Sequence, residues 1–198
     1  MNRKMIKALC VWIVVLVCFF SLFACAQVPE GEVQNKYAIV VKSEGNPYFK
    51  VIIDGFLEVI EGNGDVVIVK EPEAATPEEQ INIINQLISE NVDCIAIAGN
   101  SEDALQSSLT NAMEKGIKVI SFDSAVNKDS RLLHVNQADG EQVGKALAEA
   151  ANEITGGEGQ IAILSTTNQA HNQNTWIKWM REELEEGVYP GLALVDIV

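Results

Sequence analysis

Positive charge, histidine and cysteine are all scarce in this chain of 198 residues. Fourteen lysines and arginines stand against 28 aspartates and glutamates, a formal net charge of −14. That balance argues against nucleic acid as the main partner, because phosphate binding needs a clustered basic surface. Two histidines, His134 and His171, leave little for a zinc centre or a Ser-His-Asp triad. The four cysteines, Cys10, Cys18, Cys25 and Cys94, form neither a CxxC pair nor a disulfide framework. Enzyme signatures are missing as well. Gly62-Asn63-Gly64 follows a helical pattern rather than a strand, so it is not a dinucleotide loop, and neither a P-loop nor a GxSxG elbow occurs. No catalytic residue, metal ligand or cofactor is assigned. Hydrophobic residues make up 47 % of the chain, enough to build a packed core.

The N-terminus reads as an address. Arg3, Lys4 and Lys7 precede an almost wholly apolar run, Ala8 to Phe23, followed by Leu22-Phe23-Ala24-Cys25. A basic start, an apolar stretch and a small residue before the cleavage point make a secretory signal over 1–24. The cysteine after Ala24 points to a lipoprotein, with Cys25 as the lipid-bearing new N-terminus. An uncleaved anchor and ordinary secretion are the other readings, and the run is short for a membrane span. All three place the remainder outside the cytoplasm. Residues 25–35 read as a flexible tether, and Cys94, inside an apolar run, reads as a buried small hydrophobe.

From Lys36 the pattern alternates. Short apolar strands are predicted at 37–41, 66–69, 94–98, 117–121 and 132–135, with helices from Pro47 to Glu61, from Thr76, from Ser101 to Lys115 and from Gly140 to Ile154. Thr76-Pro77-Glu78-Glu79 is a helix start, with threonine as cap, proline at the first helical position and glutamate three residues on. Strands alternating with helices mean βαβ units and a parallel sheet, so residues 36–155 read as one doubly wound α/β domain. Gly156-Gly157-Glu158-Gly159 breaks the pattern. A strand at 161–164, a helix from Asn174 to Glu186 and a strand at 192–195 then open a second unit over 156–198. Two strands and one helix bury no core alone, so the expectation is a fragment of a longer protein that binds its ligand weakly or not at all by itself.

In an open parallel sheet, ligands bind beyond the C-terminal ends of the strands. There the sequence places Lys42 to Phe49, Gly99-Asn100-Ser101, Phe122-Asp123-Ser124 and Ser165 to Trp176. Amides, hydroxyls, one cation, one carboxylate and aromatics suit a neutral polyhydroxylated ligand: a carboxylate accepts hydroxyls, amides do both, and aromatic faces cover C–H surfaces. Each candidate also has a plain structural reading. Asp123 could cap a turn, Lys42 could be solvated, Asn46-Pro47 could only start a helix, and Tyr48, Phe49 and Trp176 could be core aromatics. His134 and His171 read as structural or surface residues. Glu182-Glu183 and Glu185-Glu186 fall at helical spacing with Lys178 and Arg181, a solvated face.

Three segments carry a family resemblance: Gly45-Asn46-Pro47-Tyr48-Phe49, the stretch Ala112 to Ser124, and Arg131-Leu-Leu-His-Val-Asn-Gln137. With the lipoprotein signal, they resemble a type I periplasmic binding protein, the solute-binding component of an ABC sugar importer. Within the ribose-type family, residues 36–198 are similar to the branch that binds rhamnose or autoinducer-2. The resemblance implies a ligand held by Lys42, Asp123, Asn172 and Gln173, with Asn46, Tyr48, Phe49 and Trp176 around it. It also implies two lobes that close on a small sugar-like ligand, and delivery to a membrane permease. Asn172 stands where that branch carries aspartate, which weakens the match to autoinducer-2 and leaves a rhamnose-like sugar open. A signalling receptor's sugar-sensing input, the core of a sugar-responsive repressor and an enzyme of the same layered fold are the competing readings.

Overall fold

The computed structural model describes residues 34–198; the expected signal, the lipid-bearing Cys25 and nearly all of the tether lie outside the described residues. The chain begins with β1 (Lys36–Val40), α1 (Pro47–Gly62), β2 (Val66–Lys70), α2 (Pro77–Ser89), β3 (Cys94–Ile97), α3 (Gln106–Glu114) and β4 (Lys118–Phe122). It continues with a 3₁₀ turn, β5 (Leu133–Val135), α4 (Gly140–Thr155), β6 (Gly159–Ile163), α5 (His171–Glu185) and β7 (Leu192–Ile197). Five strands form one sheet in the order β2-β1-β3-β4-β5, every pair parallel. β6 and β7 pair in a separate parallel sheet whose register slips between Ile161 and Ala162.

Alternation along the strands sends residues to both faces. Ala38, Val40, Ile95, Ile97 and Val119 meet Ile84, Leu87, Leu105 and Leu109 of the α2–α3 side. Ile39, Val41 and Ala98 meet Phe49 and Ile53 of α1. The sheet is thus doubly wound, as its near-continuous apolar strands predict. β1 pairs with β2 on one side and β3 on the other, so the chain reverses its direction of winding there and the strand ends splay into a crevice. Cys94 opens β3, at the far end of the sheet from that crevice, and is half-buried.

The crevice is fixed from below by Gln80, which is fully buried. Its Nε2 donates to Val41 O at 3.0 Å and Ala98 O at 2.8 Å, and its Oε1 accepts from Asn100 N at 2.8 Å. One α2 side chain therefore satisfies three backbone groups where β1 and β3 end. Gln80→Leu is expected to leave those groups unpaired and lower stability by about 2 kcal/mol in chemical denaturation. A loss below about 0.5 kcal/mol would show that water replaces the side chain freely.

Helix starts follow their caps. Asn46 accepts from Tyr48 N ahead of Pro47, and Thr76 accepts from Glu79 N ahead of Pro77. Asp139 accepts from the backbone N–H groups of Glu141 and Gln142, and Gly156 ends α4 in the left-handed region at φ 74°. Some boundaries differ from the sequence reading. Ser101-Glu102-Asp103 forms a turn, Ser101 Oγ accepting from Ala104 N at 3.2 Å, and α3 starts only at Gln106. α5 starts at His171 rather than Asn174, and Leu164 falls outside β6 at 84 % exposure. Of the acidic residues expected on a solvated face of α5, Glu182 and Glu185 do lie there, with Lys178–Glu182 at 3.5 Å and Arg181–Glu185 at 3.0 Å, whereas Glu183 is 15 % exposed and faces Lys145 of α4 at 3.6 Å.

Helix α4 falls on the other side of the expected division. Instead of covering the five-stranded sheet, it runs against α5. Gly140 and Gly144 form the seam: a Cβ on Gly144 would stand 2.6 Å from the Trp176 carbonyl oxygen. By packing, α4 therefore groups with α5 rather than with the helices that cover the five-stranded sheet.

Candidate ligand-binding site

Beyond the C-terminal ends of β1, β3 and β4 lies a cavity of about 500 Å³, closed on the opposite side by the first turns of α5. Lys42, Asn46, Tyr48, Phe49, Asp123, Asn172, Gln173 and Trp176, which come from three separate stretches of sequence, all line it. Among the described residues, its only charged lining side chains are Lys42 and Asp123. Their side chains are 16 % and 8 % exposed, with Lys42 Nζ 3.6 Å from Asp123 Oδ2. Burial pushes the Lys42 ammonium below the usual lysine range, and the Asp123 carboxylate opposes that shift.

The buried carboxamide of Asn172 reaches this pair from α5. Its Nδ2 donates to Asp123 Oδ1 at 3.2 Å, and Lys42 Nζ lies 3.5 Å from its Oδ1. The Gln173 backbone N–H donates to the same Asn172 oxygen at 2.9 Å and fixes the carboxamide's orientation. Next to it, His171 Nδ1 lies 2.7 Å from Glu102 Oε2. Two consecutive residues of one helical turn thus bridge to the loops after β3 and β4. His134 sits elsewhere, 2.9 Å from Ser121 Oγ, which also accepts from Arg131 Nη1 at 3.1 Å. Burial first, then Arg131, keeps the His134 imidazole below its ordinary pKa.

Asp123 has φ +56°, a left-handed conformation that non-glycine residues seldom adopt and that aspartate and asparagine tolerate best. This turn aims its carboxylate into the cavity rather than along the strand. Tyr48 and Phe49 make an edge-to-face pair, ring centroids 5.2 Å apart, on the same wall. Phe49 also packs in the α1 core at 3 % exposure, whereas Tyr48 is 43 % exposed. Burial, and then the charge of Asp123, hold the Tyr48 phenol above its usual range.

Ala75, Gln137, Ala138 and Val143 line the cavity but were absent from the sequence-derived stretches. Gln137 donates from Nε2 to Asp123 Oδ1 at 3.1 Å. It stands two residues past β5, so the strand-end rule that found the others also applied to it. Val143 lies on α4 and was hidden by assigning that helix to the first lobe. Asn100 has a different part: its Nδ2 donates to Lys42 O at 2.9 Å, holding the backbone from which the lysine projects.

The sequence profile of the periplasmic binding protein domain matches residues 37–198. The chain belongs to that family. A solute-binding protein of an ABC transporter from Clostridium phytofermentas, solved with bound L-rhamnose, is 46 % identical with a TM-score of 0.80. The match covers 83 % of this chain and 51 % of that one. A Burkholderia graminis solute-binding protein in complex with D-arabinose is 29 % identical, TM-score 0.76, over 83 % of this chain and 55 % of its own. A sugar ABC transporter protein from Actinomyces odontolyticus is 32 % identical, TM-score 0.62, over 83 % and 53 %. This periplasmic binding protein domain therefore spans about half the length of the relatives it matches. Its relatives are binding proteins of transporters, not enzymes, and like theirs its fold is α/β, with a doubly wound parallel sheet.

Proposed function

We propose that this binding protein domain captures a neutral monosaccharide of the rhamnose type and serves an ABC importer from outside the cytoplasm. The observation that carries the reading is the buried Lys42–Asp123–Asn172 cluster at the mouth of the parallel sheet. One cation and one carboxylate offset each other, so the cavity offers no surplus charge to an anionic solute. Amide, hydroxyl and aromatic groups, with small aliphatic side chains such as Val143 between them, make up the rest of the lining, and about 500 Å³ is within the range of small-molecule sites. The 46 % identical relative with bound L-rhamnose supports a 6-deoxy sugar over other classes. Autoinducer-2 is the weaker reading, because Asn172 supplies only one acceptor oxygen to the cluster and brings a donor.

In this reading the signal at 1–24 directs export, Cys25 carries the lipid that tethers the domain to the membrane, and a permease receives the sugar. Titration calorimetry on the full-length protein tests the binding step. L-rhamnose is expected to bind with a micromolar dissociation constant, about −8 kcal/mol, and sugar acids far more weakly. Binding of a sugar acid in preference to every neutral monosaccharide would overturn the proposal. Radiolabelled palmitate incorporation, lost in Cys25→Ala, checks the anchor.

A further inference from the structure

Gln137 lies outside the set that the sequence assigned to the ligand, yet it contacts the carboxylate at the centre of the cavity. Asp123 Oδ1 accepts from two amides, Gln137 Nε2 at 3.1 Å and Asn172 Nδ2 at 3.2 Å. An oxygen with two lone pairs is then saturated. The other oxygen, Oδ2, has Lys42 Nζ at 3.6 Å, too far for a strong hydrogen bond, and so keeps room for a hydroxyl donor.

We propose that Gln137 is a positioning and specificity-determining residue: it reserves Oδ1 of Asp123, so that the ligand meets this carboxylate through Oδ2 alone. The specificity half rests on the sugar-binding reading above; the positioning half does not. Gln137 is itself exposed, so substituting it leaves the core untouched. The charged and titratable groups around the carboxylate are Lys42 and Tyr48 on the cavity wall, Asp139 on the same segment as Gln137, His134 with Arg131, and His171 with Glu102.

Gln137→Glu is isosteric and sets a second carboxylate against Oδ1. Two touching carboxylates share a proton in acid and repel once both ionise, so the folded-state pKa of the pair lies above its unfolded value. Stability relative to wild type is then retained at low pH and lost as pH rises. The first measurement needs no ligand: thermal midpoints of wild type and variant at about pH 5 and about pH 8. The gap is expected to widen with pH; a gap that stays constant overturns the positioning role. The second is titration with L-rhamnose. The ratio of variant to wild-type dissociation constants is expected to grow from about twofold near pH 5 to roughly tenfold near pH 8. Gln137→Ala frees Oδ1 and is expected to narrow the affinity gap between L-rhamnose and its monodeoxy analogues by about threefold; an unchanged gap overturns the specificity role. Should wild type bind no neutral monosaccharide while the ligand-free pH effect persists, the sugar reading fails and the positioning role stands.

Discussion

Asp123→Asn is expected to weaken monosaccharide binding by about 100-fold while the fold survives. Asparagine has the same shape and is among the few side chains that accept φ +56°, so the turn after β4 keeps its path. What changes is charge and donor pattern. The substitution leaves Lys42 as a buried cation without its carboxylate partner and turns one ligand-facing acceptor into a donor. Removing one member of a buried charge pair costs more than the pair's net contribution, because the other member stays desolvated. Calorimetry and a thermal melt on the same sample separate the two effects. A dissociation constant within about threefold of wild type would falsify the assignment of Asp123 as the main ligand acceptor. Asp123→Ala is a poorer probe, since alanine in the left-handed region adds about 1 kcal/mol of backbone strain unrelated to the ligand.

Gly144→Ala is expected to cost about 3 kcal/mol or more of stability and to abolish binding. The added methyl would meet the Trp176 carbonyl oxygen at 2.6 Å and the Met180 backbone nitrogen at 3.2 Å, on the facing helix. Backbone atoms do not rotate away, so α5 itself must retreat. Asn172, Gln173 and Trp176 would move with it, and a shift of a fraction of an ångström breaks hydrogen bonds such as Asn172 Nδ2 to Asp123 Oδ1 at 3.2 Å. Gly140→Ala offers an internal control. Its nearest obstacle is a Thr175 methyl at 2.8 Å, the end of a side chain that can turn, so a smaller loss of both quantities is expected. Equal stability for the two variants in a denaturant titration would show that the helices do not cross as closely as this seam requires.

Much of this was legible in the chain itself. Strands such as Tyr37 to Val41 have no polar residue, which only a sheet covered on both faces explains, and Thr76-Pro77-Glu78-Glu79 fixed the start of α2 within a residue. The rule that ligands gather at strand ends brought together Lys42, Asp123 and Asn172 from positions up to 130 residues apart. Where the reading failed, the cause was tertiary. Helix α4 has the periodicity of any amphipathic helix, and nothing local says which sheet it serves; its partner is set by the facing surface of α5. Ser101-Glu102-Asp103 has good capping residues, but the chain spends them on a tight turn that buries Leu105 before α3 begins. Gln137 was visible as a strand-end residue, yet only coordinates show that its amide reaches back to Asp123.

Cys94 offers a spectroscopic handle on all of this. Burial raises its thiol pKa, and Asp93 adds to the effect, so a disulfide reagent will react slowly while β3 stays in place. The sulfur lies at the opposite end of the parallel strands from the cavity and is not part of its lining. Its labelling rate therefore clocks transient opening of the sheet without disturbing recognition. Any solute that binds at the far strand ends will slow that clock by mass action, and the extent of slowing ranks candidate sugars with no label on the sugar.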